Sequence, residues 1–219
     1  MRILSCLASC AIILSFFASC KSEGASKALV CDTVCVKDSM KFFDKNSKLN
    51  PFVYISAANC EADTISWSYT DMGTIRQANI NDLAGRKVKL NPAAVGCFIK
   101  DTSYAWLSFN DCATGRGYLI KIPYSSYVEG STLSSGINRF DKKFAVTEGL
   151  VAYSDRGNLF AEYVATGKKA QMTFGQRVEI NYDKIHDFID SVNVTPTRMW
   201  AKVMIGKEWK IFEKDVTLK

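Results

Sequence analysis

The chain has one histidine, His186, in 219 residues. Enzymes that activate a serine or cysteine nucleophile most often use a histidine base. His186 is therefore the only candidate for that role, and it lies in Ile185-His186-Asp187-Phe188, between apolar neighbours. No Gly-x-Ser-x-Gly elbow accompanies it. Such a histidine suits structure better than catalysis. Zinc needs several Cys or His ligands at short spacing, and after residue 20 the chain offers a single Cys-x3-Cys, Cys31 and Cys35, with no second pair. Neither Gly-x-Gly-x-x-Gly nor Gly-x4-Gly-Lys-Ser/Thr is present, so the usual phosphate-cradling loops are missing. Residues 44–50 begin like a calcium loop, but Lys48 falls where an oxygen ligand belongs. No catalytic residue, metal ligand or cofactor is assigned on these grounds.

A strong charge of one sign is also missing. Twenty-eight Lys and Arg stand against 22 Asp and Glu, a net charge of +6. The densest basic stretches, 86–89 and 207–214, are interleaved with apolar residues. They read as solvated strand faces, and no nucleic-acid partner is expected. After residue 20 no apolar run is long enough to span a bilayer.

The amino-terminal segment is different. Arg2 is the only charge before Lys21, and residues 3 to 19 are apolar or small. A short basic start, an apolar stretch and small residues are the pattern of an export signal. Ala18-Ser19-Cys20 resembles the bacterial lipobox, with Phe17 in place of the usual Leu. That resemblance implies cleavage after residue 19 and lipidation of Cys20. The expected organisation is a signal peptide over 1–19, a lipidated tether over 20–30 and one domain over 31–219. Removing residues 1–19 lowers the basic count from 28 to 27 against 22 acids, leaving 200 residues at +5. The implied location is the cell envelope, in the outer membrane, with the membrane itself as a partner through Cys20.

Five further cysteines follow: Cys31, Cys35, Cys60, Cys97 and Cys112. An oxidising envelope permits disulfides. The odd count leaves at least one thiol unpaired within the chain. In an extended strand Cys31 and Cys35 would lie about 13 Å apart, so a bridge between them needs a turn.

Strand signals dominate the rest. Phe52–Ser56, Thr64–Tyr69, Arg86–Leu90, Cys97–Lys100, Tyr104–Phe109, Tyr118–Pro123, Leu150–Tyr153, Leu159–Val164, Gln171–Phe174, Met199–Ile205 and Trp209–Thr217 are rich in β-branched and aromatic residues. Asp155–Asn158 and Ile205–Lys207 read as hairpin turns. Tyr182–Val192 has helical spacing, with strand a close competitor over Asp187–Val194.

Four hairpin units start near residues 51, 103, 149 and 197, at spacings of 46 to 52. Such periods suit propeller blades. The third unit, GLVAYSDRGNLFAEYVATGKKAQMTF, resembles a blade of Tol-type or WD-like β-propellers. The expected fold is therefore all-β: one domain of antiparallel meander units, arranged like a small four-bladed propeller. A β-sandwich is the alternative. The lipobox, CDTVC, SWSY, WLSFNDC and the hairpin end together resemble uncharacterised envelope lipoproteins of the Bacteroidetes type. That likeness implies location and no activity.

Two kinds of side chain could carry function. Trp67 and Tyr69 share one strand face, and Tyr104 and Trp106 share another. Exposed and adjacent, these rings would bind a glycan or peptide; in a β domain they more often pack in the core. Asp101, Asp111, Glu148, Asp155 and Glu162 lie in or near turns. A close pair could hydrolyse a glycoside, although turn carboxylates more often cap backbone. Asp32-Thr33, Asp38-Ser39, Asp63-Thr64 and Asp190-Ser191, each followed by an apolar residue, resemble Bacteroidetes O-glycosylation acceptors. The expected function is a non-enzymatic envelope lipoprotein that binds a glycan, peptide or protein. A glycosidase-like hydrolase using turn carboxylates is the alternative.

Overall fold

The computed structural model describes residues 36 and 38–218. Cys20, the tether, Cys31 and Cys35 lie outside them. The described chain is all-β. The first sheet is a meander of β1 (Met40–Phe43), β2 (Phe52–Ala58), β3 (Glu61–Ser68) and β4 (Arg76–Asn79). A short helix α1 (Ile80–Ala84) follows, capped by the Asn79 side chain, which accepts from the Asn81 N–H.

The second sheet holds β5 (Val95–Lys100), β6 (Tyr104–Asn110), β7 (Gly117–Pro123), β8 (Ser131–Gly136), β10 (Leu150–Asp155), β11 (Asn158–Tyr163) and β12 (Lys169–Thr173). Its spatial order is β12-β11-β10-β8-β7-β6-β5. The third sheet runs β15 (Glu208–Asp215), β14 (Arg198–Ile205), β13 (Ile189–Val194), β9 (Phe144–Val146). Neighbours are antiparallel throughout except β9 and β13.

The four expected hairpins are β2–β3, β6–β7, β10–β11 and β14–β15. Their turns follow from local chemistry. Arg156 and Gly157 have φ of 47° and 93°, the doubly positive pattern that matches the twist of the flanking strands. A Cβ on Gly157 would also stand 2.0 Å from the Gln176 carbonyl oxygen. The β2–β3 turn uses Asn59 and Cys60 in the same left-handed region, at 51° and 64°. Units two and three are not separate. A β8–β10 pairing, Tyr153 opposite Gly136, fuses them into one seven-stranded sheet. Four meander units therefore occupy three sheets.

Two expectations change. Arg86–Leu90 does alternate, with Val88 and Leu90 buried, but it joins no ladder. Polar side chains take the place of a partner strand. Asn81 Oδ1 accepts from the Val88 N–H and Asp111 Oδ1 from the Lys89 N–H, while the Lys89 carbonyl accepts from the Cys112 N–H. The Tyr182–Val192 segment splits. Tyr182–Asp187 forms 3₁₀ turns and Ile189–Val194 is strand β13. Val192 and Val194 are β-branched and buried on one strand face, so ladder pairing with β14 outweighs the helical spacing.

The seven-stranded sheet is covered on both faces. On β6, Ala105, Leu107 and Phe109 pack with the first sheet around Val53, Ile55 and Ile65. Trp106 faces the other way, against Leu119, Val151 and Val164. A third core lies between β10–β12 and the third sheet, around Leu159, Met172, Met199 and Val203.

Candidate functional site

The four aromatic candidates lie in or against the cores. Trp67 is 8% exposed and Trp106 4%. They belong to different clusters, so they do not form one patch. β3 turns Trp67 inward with Ile65, because that face closes the core against the seven-stranded sheet. The Trp67 indole N–H donates to the Pro123 carbonyl at 2.9 Å, and the Arg76 guanidinium lies 5.8 Å from its ring centroid. Tyr69 meets Tyr124 edge-on at 5.9 Å. The Tyr104 hydroxyl donates to the Val164 carbonyl at 2.7 Å. Lys121, opposite Trp106 across the ladder, sets its ammonium 4.2 Å from the Tyr104 centroid and 5.3 Å from that of Trp106. The Trp106 indole N–H is buried and has no hydrogen-bond partner among the described residues.

Four of the five candidate carboxylates, Asp111, Glu148, Asp155 and Glu162, have separate partners. Asp111 Oδ1 accepts from the Lys89 and Ala113 N–H groups, and Oδ2 from the Thr114 hydroxyl at 2.7 Å. It organises the β6–β7 loop. Glu162 is 3% exposed, with Lys121 at 3.5 Å and Lys169 at 3.2 Å. Asp101, Glu148 and Asp155 are exposed. Glu148 faces Arg139 at 3.9 Å, and Asp155 faces Arg156 at 3.7 Å.

His186 is held at both ring nitrogens. Nε2 lies 2.7 Å from Asp141 Oδ2 and Nδ1 lies 3.3 Å from the Ile189 carbonyl oxygen. The bond to Asp141 is the main reason the imidazole pKa is raised; partial burial opposes it. Bonded at both ring nitrogens, the ring ties the Asn138–Asp141 turn to β13. That role leaves neither nitrogen free to take a proton from a nucleophile.

Cys60 and Cys112 are disulfide-bonded. Cys97, on edge strand β5, is a free thiol, and burial pushes its pKa up to about 12. Three of the acceptor-like tripeptides fall among the described residues. The Thr64 and Ser191 hydroxyls donate to the carboxylates of Asp63 and Asp190 beside them. Ser39 is exposed.

Aromatic rings do reach solvent on the fourth hairpin. β14 buries Met199, Ala201 and Val203 completely. Alternation then turns Arg198, Trp200, Lys202 and Met204 to the other face. The β14–β15 register sets Glu213 opposite Trp200, Ile211 opposite Lys202 and Trp209 opposite Met204. Trp209 is 40% exposed and Ile211 62%. The Lys202 ammonium lies 5.6 Å from the Trp209 centroid and 3.4 Å from Asp190. Arg198 donates to Glu213 at 2.6 Å, and that bond holds the Glu213 carboxyl below its ordinary pKa. This outward face combines two indoles, two aliphatic side chains and a charged rim. A sequence signal for it exists: Arg198 and Lys202 alternate with Trp200, and two cations on one strand face mark that face as solvated.

The chain matches no protein-family model and no curated protein. Among the described residues, no helix is long and apolar enough to cross a membrane, and no group of three or more His, Cys, Asp or Glu side chains could hold a metal ion.

Proposed function

We propose that the protein is a cell-envelope lipoprotein that binds a glycan without catalysis, through the outward face of β14–β15. Exposed Trp209 and half-buried Trp200, on the same face of the hairpin, carry this reading. A sugar ring has a weakly apolar C–H face and a rim of hydroxyls. Indole faces suit the first, and Arg198, Lys202 and Glu213 beside them suit the second. The engaged state of His186 and the separate partners of Asp111, Glu148, Asp155 and Glu162 support binding over hydrolysis. The export pattern of residues 1–20 and the disulfides at Cys60 and Cys112 support the envelope.

Tryptophan fluorescence during titration with soluble glucan and N-acetylglucosamine oligomers tests the binding. At least one oligomer class is expected to give a saturable change, abolished in the Trp200→Ala/Trp209→Ala double variant. Binding that survives in that variant, or no response to any oligomer, sinks the proposal. Location is tested by metabolic labelling with an alkyne fatty acid. The label is expected on the full chain and absent from Cys20→Ser; label that persists in the variant would refute the anchor.

A further inference from the structure

Two sheet edges meet across one groove far from the Trp200–Trp209 face in sequence. β1 is the outermost strand of the first sheet, and β5 is outermost in the seven-stranded sheet. Among the described residues, neither outer edge has a ladder partner. The groove between them encloses about 550 Å³, with residues 41–45 on one wall and 97–99 on the other. Each wall is an unbroken run of residues. Successive side chains on a strand leave toward opposite faces, so a surface lined by every residue in turn is bounded by the strand's backbone edge. Unpaired N–H and C=O groups of both strands therefore border the same space.

We infer that this groove accepts a short, extended, acidic peptide segment of a partner protein, added as a strand to the β5 edge. Strand addition draws affinity from main-chain hydrogen bonds and specificity from alternate side chains. One strand residue fills roughly 3.3 × 4.8 × 10 Å, about 160 Å³, so the groove holds about three or four residues. The side chains choose the occupant. Phe43 is 54% exposed and Phe98 is half-buried, which suits an apolar residue at alternate positions. Lys41 and Lys45 are exposed on one wall, and Lys100 follows the other. The acid on the walls, Asp44, already accepts from the Asn46 N–H at 2.9 Å. A second copy of this chain would set the same lysines against each other, whereas glutamates would complement them.

The test uses the full chain and a fluorescein-labelled heptapeptide of alternating Val and Glu, followed by fluorescence anisotropy. Saturable binding is expected below about 1 mM. Methylation of alternate peptide amides, in either register, removes donors to the carbonyls of a sheet edge. In the β5-facing register it is expected to weaken binding at least about tenfold. Lys41→Glu/Lys45→Glu is expected to do the same; both side chains are exposed, and circular dichroism checks the fold. A Val/Lys heptapeptide is expected not to bind. Equal binding of both methylated forms, equal binding of the Val/Lys peptide, or no saturable binding would overturn the inference. A concentration-dependent dimer that blocks the peptide would assign the groove to a second copy instead. Trp200→Ala/Trp209→Ala is expected to leave peptide binding intact, which separates this outcome from that of the glycan test.

Discussion

Two hairpins carry a similar arrangement and use it differently. On β6–β7, Trp106 faces Lys121 across the ladder. On β14–β15, Trp209 lies beside Lys202 on the neighbouring strand. Both lysines lie over an indole, and both reach a carboxylate, Glu162 in one case and Asp190 in the other. The first indole is closed off by Val151 and Val164 from the third unit. The second remains open. The fusion of β8 to β10 explains the difference. It swings the third unit against the Trp106 face, whereas the outward side of the terminal hairpin receives no such neighbour among the described residues. A tryptophan on a strand is therefore core or surface according to what the next unit covers.

The largest effect that would break this contrast is on stability. Trp106→Ala is expected to cost about 3–5 kcal/mol, the range for emptying a buried aromatic site. Trp209→Ala is expected to cost under about 1 kcal/mol, since it forfeits only an exposed packing surface and a cation–π contact. Urea denaturation of the two variants measures both; equal losses would mean that the fourth hairpin's face is also core.

A smaller contrast concerns the carboxylates. Glu162→Gln leaves two ammonium groups without their buried anion, and is expected to cost about 1–3 kcal/mol, less than a sealed pair because both lysines reach water. Asp190→Asn is expected to cost under about 1 kcal/mol. Burial alone would raise the Asp190 pKa, but hydrogen bonds from Lys143, Ser191 and Lys202 lower it overall. A lowered folded pKa stabilises above the ordinary carboxylate range and loses that contribution as pH falls through the folded value. Melting temperature below about pH 4 should therefore converge for wild type and Asp190→Asn, while the small gap is complete at neutral pH. A gap that widens on acidification would contradict this assignment.

Much of the fold is legible before folding. The four hairpins follow from period-two runs broken by turn residues such as Arg156-Gly157 and Gly206. Other parts are hidden for identifiable reasons. β8, Ser131–Gly136, has no apolar alternation and is defined by its neighbours β7 and β10. Arg86–Leu90 alternates like a strand, yet its N–H groups go to Asn81 and Asp111, one local and one 22 residues away. The burial of the aromatic candidates was not legible in the sequence. Trp67, Tyr69, Tyr104 and Trp106 share faces as alternation demands, but alternation does not say which face is covered. For Trp200 the lysine and arginine beside it did contain the answer.

By itself, the sequence determined the all-β class, the hairpin positions and an odd set of cysteines after residue 20, because these depend on local periodicity, turn conformation and counting. Only the tertiary structure decided which single thiol among the described residues is free, which indoles meet water, and that His186 is held between two acceptors. Those properties depend on contacts between residues tens of positions apart, and a one-dimensional pattern does not encode what packs over a given face.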